Sequence, residues 1–174
     1  MTKQTVMIAL GGNSLSPQGS SGSVAEQFTY TKKTMDFLSK FITLDYNICI
    51  THGNGPQVGN ELLRMDLTND KVPPLPLGIC VANTQGQIGY MVQQTLQNKL
   101  REIDIDREVV TLVTQVIVDE NDPSITNPTK YIGPRYSKSD IDELASKLEW
   151  KIKEQEPGSW RRVVPSPMPE YIMH

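Results

Sequence analysis

Apolar residues recur along this chain at two different periods, and the switches between them mark its elements. Val6-Met7-Ile8-Ala9-Leu10 is a nearly continuous apolar run. It predicts a strand over about 5–10, of the parallel kind that is covered on both faces. Phe28, Met35, Leu38, Phe41 and Ile42 then fall near helical spacing, behind a capping box at Ser23-Val24-Ala25-Glu26. Residues 46–51 predict a second strand, and Pro56 stands where its fixed φ suits the start of a helix. After a polar linker holding Pro73, Pro74 and Pro76, a third helix is marked by Ile88, Met91, Val92, Thr95, Leu96 and Leu100. The β-branched run from Val109 to Val118 predicts another strand. Strand and helix alternate, which argues for an α/β fold: a three-layer αβα sandwich on a mainly parallel sheet.

The texture changes after Asp119. Asp119-Glu120-Asn121-Asp122-Pro123 and Asn127-Pro128-Thr129-Lys130 are turn-rich, and a polar helix is expected over about 139–148, starting at a capping box on Ser139. Trp160-Arg161-Arg162-Val163-Val164 returns to a strand pattern before Pro165, Pro167 and Pro169. The division expected from this is an α/β domain over 1–118, a protruding lid over 119–160, and a return strand with a tail over 161–174.

Composition narrows the function classes. With 17 basic and 20 acidic residues the formal charge is -3, which argues against a general nucleic-acid binder. No apolar run is long enough to span a membrane. Met1-Thr2-Lys3-Gln4 leads into the first strand with no signal-peptide pattern, and Cys49 and Cys80 do not read as a disulfide framework. A cytoplasmic location is expected.

The chemistry sits in two turns. Gly11-Gly12-Asn13 follows the first strand, and His52-Gly53-Asn54-Gly55-Pro56-Gln57 follows the second. A strand that ends in glycines and enters a helix bares backbone N–H groups at the helix's positive end, a setting for phosphate or carboxylate. Gly-Gly-Asn alone is equally at home in a turn without a ligand, whereas two such turns on neighbouring parallel strands suggest one anion held between them. His52 reads as a base, an anion ligand or a structural residue. Lys130, on a proline-braced flap, is the candidate for a direct charge contact with a phosphoryl group. Asp119, Glu120 and Asp122 offer oxygen ligands for Mg2+ but read as a solvated turn, and no metal site is assigned. Alternation places Arg161 and Arg162 on opposite faces of their strand.

Several blocks together resemble the carbamate kinases of the amino acid kinase fold. They are Ile8-Ala9-Leu10-Gly11-Gly12-Asn13, Thr51-His52-Gly53-Asn54-Gly55-Pro56-Gln57-Val58-Gly59 and Thr84-Gln85-Gly86-Gln87-Ile88-Gly89-Tyr90. Val113-Thr114-Gln115, Asn127-Pro128-Thr129-Lys130, Ile132-Gly133-Pro134 and Trp160 to Pro167 complete the resemblance. It implies reversible phosphoryl transfer between carbamoyl phosphate with ADP and carbamate with ATP, assisted by Mg2+. It also implies that Gly11, Gly12, Asn13, Gly53, Asn54 and Gly55 bind the substrate and that Lys130 is catalytic. The family's chains are about twice this length, so the nucleotide and Mg2+ sites are expected to lie largely in a second half not contained here. The corresponding partner is a second copy, as a homodimer, or a separate polypeptide carrying that half. The resemblance also implies an arginine before Trp160 and a lysine after Pro167, where this chain has Gln155-Glu156-Pro157-Gly158-Ser159 and Met168. Two other readings stay open: a non-catalytic module for carbamoyl phosphate or another small anion, and a kinase for another small carboxylate or carbamate analogue.

Overall fold

The computed structural model describes residues 3–17, 19–44 and 46–173, with Asn13 described in its backbone only. The chain forms two compact units, Met1–Asn54 with Gln85–Leu112 and Gly55–Thr84 with Val113–His174.

In the first unit, β1 (Thr5–Leu10) and β2 (Asn47–His52) form the expected parallel pair, in register from Thr5↔Asn47 to Leu10↔His52. Between them come α1 (Gly12–Leu15) and α2 (Val24–Ile42). Ser23 caps α2 by accepting from the Glu26 N–H, while the Glu26 carboxylate turns to the Ser21 hydroxyl at 2.6 Å instead of closing the capping box. Leu10, Leu15, Met35, Leu38 and Ile42 join Ile88, Met91, Val92, Leu96 and Leu100 in one core, with Ile8, Ile48 and Ile50 against it. Met7 and Cys49 point the other way and are exposed. The strand expected to be covered on both faces is therefore covered on one, among the described residues.

The long helix α4 is Leu77–Glu102, and its residues from Gln85 onward belong to the first unit. It explains why the strand predicted over 109–118 is shortened to β3 (Gln115–Val118). Helix side chains satisfy the preceding backbone: Gln97 accepts from the Val109 N–H at 3.0 Å and donates to the Arg107 carbonyl at 3.0 Å. Gln93 accepts from the Thr111 hydroxyl at 2.9 Å. Gly89 lies on the same helix face, and a methyl carbon there would stand 2.1 Å from Thr111 Cγ2.

The second unit contains α3 (Gly55–Thr68), α5 (Pro123–Thr126), β4 (Lys130–Tyr136), α6 (Lys138–Leu148), β5 (Ile152–Glu156), β6 (Ser159–Val164) and β7 (Pro169–Met173). The strands β4-β6-β5 form one antiparallel sheet, and β3 pairs antiparallel with β7. The fold is α/β as expected, but β1–β2 is the only parallel pairing among the described strands. Helix α6 (Lys138–Leu148) starts one residue earlier than predicted, because Ser137 rather than Ser139 is the cap and accepts from the Asp140 N–H. It ends on Glu149 in the left-handed region at φ 54. Val58, Leu62, Cys80, Ile132 and Val164 form the unit's core.

Cys80 is fully buried, and burial, followed by the charges of Glu61 and Asp66, pushes its thiol above the ordinary range. The thiolate is the reactive form. Ellman's reagent is therefore expected to modify exposed Cys49 in the native protein and Cys80 only after denaturation; equal rates in the native state would contradict the burial.

Candidate anion-binding site

The β1–β2 register ends on Leu10 beside His52, so Gly11 and Gly53 both follow directly from one pair of neighbouring residues. Parallel strands lie about 4.8 Å apart. The turns therefore leave the pair side by side at the same end, the arrangement expected from the sequence. Gly11 is the N-cap of α1 in extended backbone, and its carbonyl accepts from the Ser14 N–H at 3.0 Å. Gly12 accepts from the Ser16 N–H at 2.8 Å.

Gly11, Gly12 and Gly53 are exposed, and an added methyl carbon at any of them meets no heavy atom within 4 Å. Neither a left-handed φ nor a close approach within the chain requires glycine at these positions. The space in front of the turns is open. His52 Nδ1 lies 3.3 Å from the Gly53 carbonyl, so its ring folds back onto its own turn. The first unit thus brings together the backbones of Gly11, Gly12 and Asn13 with Gly53 and Asn54.

Gly55 and Lys130 belong to the second unit. Gly55 opens α3, and its Cβ position lies 3.9 Å from the Tyr131 carbonyl oxygen. Lys130 is the first residue of β4, opposite Val164, rather than the tip of a loose flap. Its side chain is exposed, with no hydrogen bond or ion pair among the described residues. The turn before it is braced by two lysines as well as by buried Pro128. Lys151 donates to the Thr126 carbonyl at 2.8 Å, and Lys153 donates to Asn127 Oδ1 at 3.1 Å.

Two of the three carboxylates in the acidic turn are committed to the backbone. Asp119 accepts from the Asn121 N–H at 2.8 Å, and Asp122 accepts from the N–H groups of Ser124 and Met168 at 2.7 and 3.0 Å. No three His, Cys, Asp or Glu side chains gather as a metal cage among the described residues. The Mg2+ that the resemblance implies therefore finds no ready ligand set in them.

Arg161 and Arg162 do face opposite ways. Arg162 donates to Asp66 Oδ2 at 2.7 Å and lies over the Trp150 ring at 4.7 Å. Trp150 donates to the same carboxylate oxygen at 2.7 Å. Arg161 donates to the Gly133 carbonyl at 2.6 Å and to Gln155 at 3.1 Å. Sequence reasoning missed the parts played by Asp66, Trp150, Gly59 and Gly133. The glycines in the Gln57-Val58-Gly59 and Ile132-Gly133-Pro134 blocks were the available signal.

The chain is thus an α/β protein with two glycine turns side by side at one end of a parallel strand pair. No protein-family model matches the chain. The carbamate kinase of Pyrococcus horikoshii is 46% identical over 169 residues, covering 96% of this chain and 54% of that protein. Carbamate kinase from Giardia lamblia bound to citric acid superposes with a TM-score of 0.94 at 35% identity, covering 98% of this chain and 55% of that one. The Giardia enzyme bound to AMP-PNP gives a TM-score of 0.79 at 35% identity, covering 98% and 54%. The chain is a homologue of carbamate kinase. It spans about half the length of the curated relatives it matches, consistent with an N-terminal half of such a protein.

Proposed function

We propose that this chain is the carbamoyl-phosphate-binding part of a carbamate kinase-like phosphotransferase, within an amino acid kinase-type αβα sandwich carrying a lid. The backbone N–H groups of Gly11, Gly12, Asn13, Gly53, Asn54 and Gly55 hold the transferring phosphoryl group, and Lys130 neutralises its charge. The reaction passes that group between carbamoyl phosphate and ADP, giving carbamate and ATP. Catalysis of this kind rests on positioning and charge stabilisation, which N–H groups and a lysine provide. The observation that carries the reading is the pair of glycine turns at one strand end, with open space where side chains would stand.

Nucleotide and Mg2+ are assigned to the remainder of the relatives' length. A Giardia relative, of which this chain covers 54%, has been solved with AMP-PNP. That favours a second reading, in which the chain alone binds carbamoyl phosphate without turnover. The partner is a second copy or a polypeptide supplying the other half. Support comes from the exposed apolar residues Val116, Ile117, Tyr171 and Ile172 on the β3–β7 ribbon. The proposed compartment is the cytoplasm; no described helix is long and apolar enough to cross a membrane.

Calorimetry on the full chain tests this. Carbamoyl phosphate is expected to bind and ADP to give no heat, and Lys130→Met is expected to weaken carbamoyl phosphate about tenfold with unchanged melting. No binding of carbamoyl phosphate by the unaltered chain would sink both readings. Turnover of ADP to ATP by this chain alone would refute only the assignment of nucleotide elsewhere.

A further inference from the structure

Within the second unit, α3 and β4 approach more closely than side chains permit. A methyl carbon at Gly59 would stand 2.1 Å from both Gly133 Cα and Gly133 N, and 3.0 Å from the Ile132 carbonyl carbon. These are backbone atoms, so no rotamer change can make room. Gly133 is itself left-handed at φ 71, and the β4–β6 register slips between Ile132 and Tyr136. The strand therefore bends at Gly133, a conformation that glycine adopts without strain. Its carbonyl is held by the Arg161 guanidinium from β6 at 2.6 Å.

One turn back along α3, the Cβ position of Gly55 faces the Tyr131 carbonyl. Four helical residues advance about 6 Å and two strand residues about 6.6 Å. The pairs Gly55–Tyr131 and Gly59–Gly133 therefore match in spacing and fix how far α3 is advanced along β4. Lys130 lies immediately before Tyr131 on that strand.

We propose that Gly59, Gly133 and Arg161 are positioning residues that lock the start of α3 against β4 and so set the reach of Lys130 relative to Gly55. This rests on the reading that Gly55 and Lys130 serve the same phosphoryl group. None of the three touches substrate. They act through Lys130, and displacements near one ångström are enough to impair phosphoryl positioning.

The experiment uses the full chain in two arms. In hydrogen exchange, Gly59→Ala is expected to speed amide exchange across 130–134 and the first turn of α3. Gly78→Ala, whose added methyl meets nothing within 4 Å, is expected to leave that region unchanged. Unchanged exchange in Gly59→Ala overturns the proposal without reference to any ligand. In calorimetry with carbamoyl phosphate, Gly59→Ala is expected to weaken binding about tenfold, and to weaken it no further in a Lys130→Met background.

Additive losses mean that Gly59 acts on structure at large and overturn the positioning role. Binding that depends on Lys130 but not on Gly59 overturns it too, while the functional reading survives. Binding that is absent, or indifferent to Lys130, overturns the functional reading and this role together. If Gly59→Ala does not melt cooperatively, Arg161→Met takes its place in both arms with the same expected outcomes. It removes the donor to Gly133 and leaves the helix contact intact.

Discussion

The Gly53→Val substitution is expected to weaken carbamoyl phosphate binding by about 100-fold while stability changes by no more than about 0.5 kcal/mol. Gly53 is exposed, its φ is not left-handed, and its Cβ position meets nothing within 4 Å. The ligand-free chain therefore has room for the new side chain. A phosphoryl group drawn onto the adjacent N–H groups does not, since the branched carbon stands in front of them. Losing two charge-assisted hydrogen bonds at about 1.5 kcal/mol each gives the stated factor. Calorimetry reads the affinity, and differential scanning calorimetry confirms that the fold survives. Unimpaired binding by a variant that melts normally would remove this turn from the site.

Asp66→Ala is expected to cost about 2–3 kcal/mol and to lower the melting temperature by roughly 4–12 °C. One carboxylate oxygen accepts from both Arg162 and Trp150, and the Arg162 side chain retains only 18% of its exposure. Truncation leaves a guanidinium largely withdrawn from water without its counter-charge, together with an unmet indole N–H. The partial exposure of the pair keeps the cost below that of a fully enclosed one. Asp66→Asn is expected to cost about half as much, because an amide oxygen still accepts from Trp150. Urea titrations of the three proteins rank them; equal midpoints would show that the cluster does not contribute to stability.

The elements legible from sequence are those whose signal is local. An apolar run with a Gly-Asn turn marked β1 and β2, and the spacing of Ile88, Met91, Leu96 and Leu100 marked α4. The turns of the candidate site were visible for the same reason: glycine and asparagine announce a turn within four residues. The segment 109–114 misled because its β-branched residues read as a strand, yet helix glutamines hold it: Gln97 accepts from the Val109 N–H and Gln93 from the Thr111 hydroxyl. β5 has the sequence Ile152-Lys153-Glu154-Gln155-Glu156, whose largely exposed side chains leave no apolar alternation to read. β7 begins on the third of three closely spaced prolines and is exposed along its length, so only its pairing with β3 reveals it. The Asp66 cluster and the Gly59–Gly133 approach join residues far apart in the chain. Asp66 stands 84 positions before Trp150 and 96 before Arg162, and no window of sequence spans such pairs.

The two bonds accepted by Asp122 tie a helical turn to the approach of the final ribbon, since Ser124 lies in the first turn of α5 and Met168 precedes β7. One carboxylate thus acts as a stitch between neighbours 46 positions apart in the chain. A divalent ion arriving at this acidic turn would share each carboxylate oxygen with an amide that already holds it. Its charge would draw electron density from both bonds, so cation capture would slacken the seam without having to undo it.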